Sequence, residues 1–309
     1  MKNTFIILCI LFHLSVWVPI FFLLPGTQHS TTHKTIICTT TILADTVRAI
    51  AGTQWSVQYL MGPGVDPHTY HAKESDIHRL TRADIIFYHG LHLEGKIAHV
   101  FEHMNEYVPS IGVCNTLDRA QLYPCSINNI YDPHVWHDVH LWKQVVHFIA
   151  QKLSSYDTDN AKLYKERCIL YIKQLDELDS YITKCIKQLN SSQRTLITAH
   201  DAFEYFGKRY GMKVIGIQGI STQTEPGTKD IQEVVTHIVK YKTKAIFVES
   251  STSARNIQAV QEAAHAHGHT VNIGPELYTD SLGLPGSNAD TYITMMKHNI
   301  DSIVHSLST

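Results

Sequence analysis

The sequence predicts an α/β protein of two lobes, each a four-stranded parallel sheet flanked by helices, joined by one long rigid linker helix. Three observations carry this. From Thr35 onward, short β-branched apolar runs alternate with stretches of helical period, the pattern of parallel sheets. Four such runs fall in each half of the 309 residues. Between the halves, Asp157 to Leu189 contains no Gly or Pro and repeats apolar residues at Tyr171, Leu175, Leu178, Ile182, Ile186 and Leu189.

Taken in order, the chain opens with Met1, Lys2 and Asn3 before an apolar run from Phe5 to Leu24. Residues 1–33 therefore read as a signal peptide or a retained N-terminal anchor, and the rest of the chain as extracytoplasmic, in the periplasm or on the outer face of the cytoplasmic membrane. A lipid-bearing Cys should follow such a run, whereas Cys9 lies near its start. The first lobe is expected over 34–153, with strands near Thr35–Thr41, Val57–Leu60, Asp84–Tyr88 and Ile111–Cys114. The linker occupies 154–190; a helix over Asp157 to Leu189 would reach about 50 Å, enough to run along both lobes. A coiled-coil dimer is the competing reading, but the period lasts under three heptads, and a monomer is expected. A helical link resists bending, so large hinge closure is not expected. The second lobe, 191–309, has strands near Thr195–Thr198, Lys213–Ile217, Ala245–Glu249 and Thr270–Ile273.

Composition narrows the function. Net charge is −2, so nothing draws the chain to nucleic acid. The chain contains 21 His against 26 Lys plus Arg, which directs attention to metal chemistry. Of the six Cys, none forms a CxxC pair, so thiolate zinc sites have no support. Cys168 and Cys185 lie too far apart on one helix to bond, and Cys114 with Cys125 is the one plausible disulfide.

Four residues share the location where open α/β sheets place ligands, beyond the carboxyl ends of strands. His68 lies in the loop after the second strand, within Asp66-Pro67-His68. That triplet recurs 66 residues later as Asp132-Pro133-His134. His200 follows the strand at Thr195–Thr198, and Asp280 lies in the segment before the last helix. Three imidazoles and one carboxylate suit Zn, Mn or Fe, whereas Ca or Mg would want oxygen throughout. Other histidines read more simply. His89, His92, His99 and His103 surround one loop and helix, and His265, His267 and His269 cluster at a helix C-terminus that accounts for them without metal.

At these residues the sequence resembles the TroA-like family, the manganese, zinc and iron receptors of ABC transporters. The matching text includes MGPGVDPHTY from Met61, ADIIFYHGLHLE from Ala83, DPHVWHDVHLW from Asp132, TAHDAFEYF from Thr198, FVESS from Phe247, and Gly274 to Gly283. The resemblance implies one metal ion held between the lobes by His68, His134, His200 and Asp280. It also implies delivery of that ion to a membrane permease and its ATPase, with the ion as cargo and no catalytic cofactor. For Glu249 and Asp201 two readings stand side by side, acceptors of ring N–H groups from ligand histidines or ordinary strand-end carboxylates, while His71 and His137 are expected to stay outside direct coordination. A metal-dependent hydrolase would be the enzyme alternative, but no HExxH or GxSxG occurs. Surface adhesion, a label relatives have carried, finds no exposed binding stripe in the composition.

Overall fold

The computed structural model describes residues 34–125 and 130–308; the expected signal or anchor, 1–33, lies outside the described residues. The first half runs β1 (Lys34–Cys38), α1 (Thr41–Ala51), β2 (Trp55–Tyr59), α2 (Glu74–Leu80), β3 (Ile85–Tyr88), α3 (Ala98–Met104) and β4 (Ser110–Gly112). The strands form one parallel sheet in the order β2-β1-β3-β4. The β-branched run stops at Cys38 because Thr40 changes role: its hydroxyl accepts the Leu43 amide at 3.2 Å and caps α1.

Two helices follow, α4 (Val139–Tyr156) and α5 (Ala161–Ile186). The α4 N-terminus is set by Asp138, whose Oδ1 accepts the His140 amide at 2.7 Å. With 26 residues, about 39 Å long, α5 is shorter than the unbroken pattern predicts. Its start is displaced because Asp157 closes a tight turn, accepting from Asn160 Nδ2 at 2.9 Å and from the Tyr164 hydroxyl at 2.5 Å.

The second half continues β5 (Thr195–His200), α6 (Glu204–Tyr210), β6 (Lys213–Gln218), α7 (Thr228–Tyr241), β7 (Ala245–Ile246), α8 (Arg255–Ala266), β8 (Asn272–Ile273) and α9 (Tyr292–Ser308). Its sheet is less regular than the first. Two parallel pairs, β5 with β6 and β7 with β8, are joined by a single parallel bridge, Thr198 to Phe247, through the Phe247 amide on the Ile197 carbonyl at 2.9 Å. The resulting order, β6-β5-β7-β8, repeats that of the first sheet.

Strand periodicity sorts the core into layers. Ile36, Cys38, Ile85 and Phe87 face a large central cluster, while Ile37 and Ile86 face a smaller one under α2 and α3. In the second half Leu196, Ala245 and Phe247 face the same central cluster, and Ile197, Ala199 and Ile246 face one under α7 and α8. One core therefore serves both halves. Along it lies α5, packed on α1 and α4 from the first half and on α6 and α9 from the second. Its polar contacts divide the same way: Arg167 donates to the Ala51 carbonyl at 2.8 Å, whereas Asp179 pairs with Arg209 at 2.7 Å and Tyr181 donates to Asp301 at 2.6 Å.

The Cys114–Cys125 pairing that the sequence leaves open does not form: both are free thiols. Cys114 is buried in the central core, its amide on the His89 carbonyl at 2.9 Å, while Cys125 lies in a half-exposed loop with its amide on the Ile130 carbonyl.

Candidate metal centre

The four residues lie at the end of a strand or in the loops between elements. His68 lies between β2 and α2, His134 at the start of the short 3-10 turn Val135–His137 that leads into α4, His200 at the last position of β5, and Asp280 between β8 and α9. The two Asp-Pro-His copies hold their histidines alike. Asp66 Oδ1 accepts the His68 amide at 2.8 Å, and Asp132 Oδ1 accepts the His134 amide at 3.0 Å.

The fold brings the four side chains together. One ligand atom from each lies within 4.8 Å of the others, and all four residues are buried. His68 Nε2 is 3.1 Å from His134 Nε2, and Asp280 places Oδ1 3.6 Å from His134 Nε2 and Oδ2 3.5 Å from His200 Nε2. His200 Nε2 and Asp280 Oδ1 have no hydrogen-bond partner, which is costly for buried polar atoms unless something else engages them.

Carboxylates fix two of the imidazoles. Glu249 Oε2 accepts the His200 Nδ1–H in a short contact, and its Oε1 accepts the His200 amide at 2.9 Å. Asp132 Oδ1 lies 2.7 Å from His134 Nδ1. With Nδ1 the donor to a carboxylate in both rings, each Nε2 is the atom aimed at the centre. His68 Nε2, 3.1 Å from His134 Nε2, is placed to donate an N–H to the lone pair there or, in its other tautomer, to share a cation with it.

Burial and charge set the protonation. Burial and the neighbouring His200 push the His68 imidazole down to about 3, and burial holds His134 well below its ordinary value. His200 goes the other way: burial alone would lower it, but Glu249 and Asp280 together push it up to about 10. Burial pushes the Asp280 carboxyl up to about 7, with His200 holding it back.

The loop carrying Asp280 is tied to the first half on both sides. Ser281 Oγ accepts the Gly64 amide at 2.9 Å, and the Leu282 amide donates to Thr41 Oγ1 at 2.8 Å. Beside the centre opens a cavity of about 1030 Å³ between the halves, and of the four donors His68 alone lines it.

This constellation and this topology recur together in known proteins. Residues 36–306 match the family described as "ZnuA: Zinc-uptake complex component A periplasmic". The chain belongs to the ZnuA family. It is 40% identical over 272 residues to "Manganese-binding lipoprotein MntA" of Bacillus subtilis, covering 88% of this chain and 89% of that one. It is also 40% identical over 273 residues to "Zinc-binding protein TroA" of Treponema pallidum, covering 88% of each. The solved periplasmic zinc binding protein TroA from Treponema pallidum superposes with a TM-score of 0.87, covering 89% of this chain and 99% of that one at 39% identity. ZnuA-family chains are substrate-binding components for divalent-metal import by ABC transporters, and this chain is one.

The structure separates the two candidate carboxylates. Asp201 accepts no ring N–H; it turns the chain, with its amide on the Gln218 carbonyl at 3.1 Å. Asp132, overlooked as a partner, takes that place behind His134, and the signal was present in the triplet itself. His71 is a surface residue paired with Lys96 at 3.0 Å, and His137 is buried with its ring 4.4 Å from that of Phe203. The histidines of 89–103 do not converge, and His267 caps the end of α8 through the Ala263 carbonyl at 2.8 Å. Among the described residues, no other group of three metal-ligating side chains comes together.

Proposed function

We propose that His68, His134, His200 and Asp280 together hold one divalent transition-metal ion, and that the chain captures this ion outside the cytoplasm and passes it to the permease and ATPase of an ABC importer. The observation carrying this is the convergence of four buried donors, two from each half, within 4.8 Å of one another. Three imidazoles with one carboxylate favour Zn2+ or Mn2+, the ions in the names of TroA and MntA, and the same donors accommodate Fe2+. Ion availability, more than affinity, selects among them, because affinity alone follows the Irving–Williams order.

In this reading the ion is cargo and the protein catalyses nothing: four protein donors leave no open position of the kind a catalytic zinc keeps for water. All four come from one chain, so a monomer suffices. Residues 34–153 and 191–309 act as the two lobes around the linker 154–190, and 1–33 directs export or anchors the chain at the membrane.

Elemental analysis of the exported form, purified without added metal, tests the site. About one equivalent of Zn, Mn or Fe is expected in the wild type and none in His68→Ala or Asp280→Ala, with circular dichroism unchanged. Equal metal in wild type and variants would remove these residues from the site.

A further inference from the structure

Because His68 alone of the four donors lines the cavity, the way out of the centre runs past its ring. His68 belongs to no helix or strand, so what holds its loop decides how readily that way opens. The hold comes from the opposite half. The segment 219–227, between β6 and α7, reaches across: Thr222 Oγ1 donates to Asp66 Oδ2 at 2.5 Å, and Gln223 Nε2 donates to the His68 carbonyl at 2.9 Å. Asp66 is the residue whose other oxygen accepts the His68 amide. Both backbone polar groups of His68 are therefore secured from across the cavity, one directly and one through Asp66.

The reaching segment is itself staked down. Gln218 Nε2 donates to the Thr222 carbonyl at 2.9 Å and to the Thr224 carbonyl at 2.8 Å. The fit is close as well. A Cβ on Gly95, which has a φ of +37°, would lie 2.5 Å from the His68 carbonyl oxygen and 2.8 Å from Gln223 Nε2.

We propose that Thr222 and Gln223 form a clamp that holds the His68 loop shut and sets the rate at which the ion leaves, without either residue touching the ion. They are positioning residues. The inference rests on the four-donor site proposed above. It follows from where the bonds lie: swinging His68 into the cavity breaks both, one of them to a carboxylate, while Asp280 keeps its separate ties to the first half through Ser281 and Leu282.

The test uses the full exported chain loaded with one equivalent of Zn2+ and mixed with excess chromogenic chelator, at concentrations where the transfer rate no longer depends on chelator. The Thr222→Val, Gln223→Ala double variant should lose its ion at least about tenfold faster than wild type, as expected for hydrogen bonds that must break before release. Its stoichiometry should stay at one equivalent, and its metal-free form should still unfold in a single cooperative transition. Thr222→Ser keeps the hydroxyl and should release at the wild-type rate, whereas Thr222→Val alone should release faster. A double variant within about twofold of wild type would overturn the clamp while leaving the metal site intact. A wild-type chain that takes up no Zn2+ would overturn both.

Discussion

The three imidazoles of the centre differ in what stands behind them. His134 has Asp132 and His200 has Glu249, each fixing which nitrogen faces inward, and that support should be measurable apart from ligation. Asp132→Asn and Glu249→Gln are expected to keep one equivalent of metal but to weaken its binding about 10–100-fold, the range for outer-shell partners, read by competition with a chelator of known affinity. Protonation separates the three further. Metal binding at pH 7 should displace a proton from His200, pushed up to about 10, while His68 and His134 are already neutral. Calorimetry in buffers of different ionisation enthalpy should therefore show net proton release on binding, and affinity that falls as pH is lowered. Beside the centre, burial pushes His89 and His137 from 6.5 down to about 3, with His200 adding to the effect on His137. The unfolded chain protonates these residues below about 6.5 and the folded chain does not, so their contribution is whole above that pH and is lost as pH falls towards 3. Their share of the metal-free protein's thermal stability, read as the difference from a His89→Gln, His137→Gln variant, should be smaller at pH 5 than at pH 7.

At the scale of elements, α5 holds the halves together through one buried stripe, Leu175, Leu178 and Ile182 among them. Leu178→Ala should cost about 2–5 kcal/mol of folding stability, read by denaturant unfolding, with metal stoichiometry unchanged because no ligand lies on this helix. That stripe was legible in the sequence, since spacings of 3 and 4 describe a helix face wherever it packs. The ends of α5 were not, because Asp157 acts through side-chain bonds to Asn160 and Tyr164 that periodicity does not encode. The strands show the same division. β1 and β3 follow their apolar runs closely, whereas only Ala245 and Ile246 of the run Ala245–Glu249 form regular strand. The residues beyond turn to other work: Phe247 makes the bridge to β5, and Glu249 meets His200. For the candidate site, strand ends and the repeated triplet pointed to the four residues that the fold brings together. Asp201 and Glu249 looked equivalent as partners, and only the tertiary path of β7 distinguishes them.

For the whole molecule, the decisive feature is that the central core is continuous through both halves. A hinge that opened the lobes widely would expose part of that core, so ion capture should proceed by local loop movement. Small-angle scattering should give the same radius of gyration with and without metal within experimental error, while the melting temperature rises with metal concentration as expected for a ligand that binds only the folded state. Among the described residues all five cysteines are free, and four of them, Cys38, Cys114, Cys168 and Cys185, are buried. Folding of this part of the chain therefore calls on no oxidant, and the same thiol state should form whether it is produced in a reducing or an oxidising compartment. Cys125, the half-exposed fifth, lines the same cavity as His68. An environment-sensitive dye attached there would place an optical reporter at the mouth of the centre without engineering a new residue.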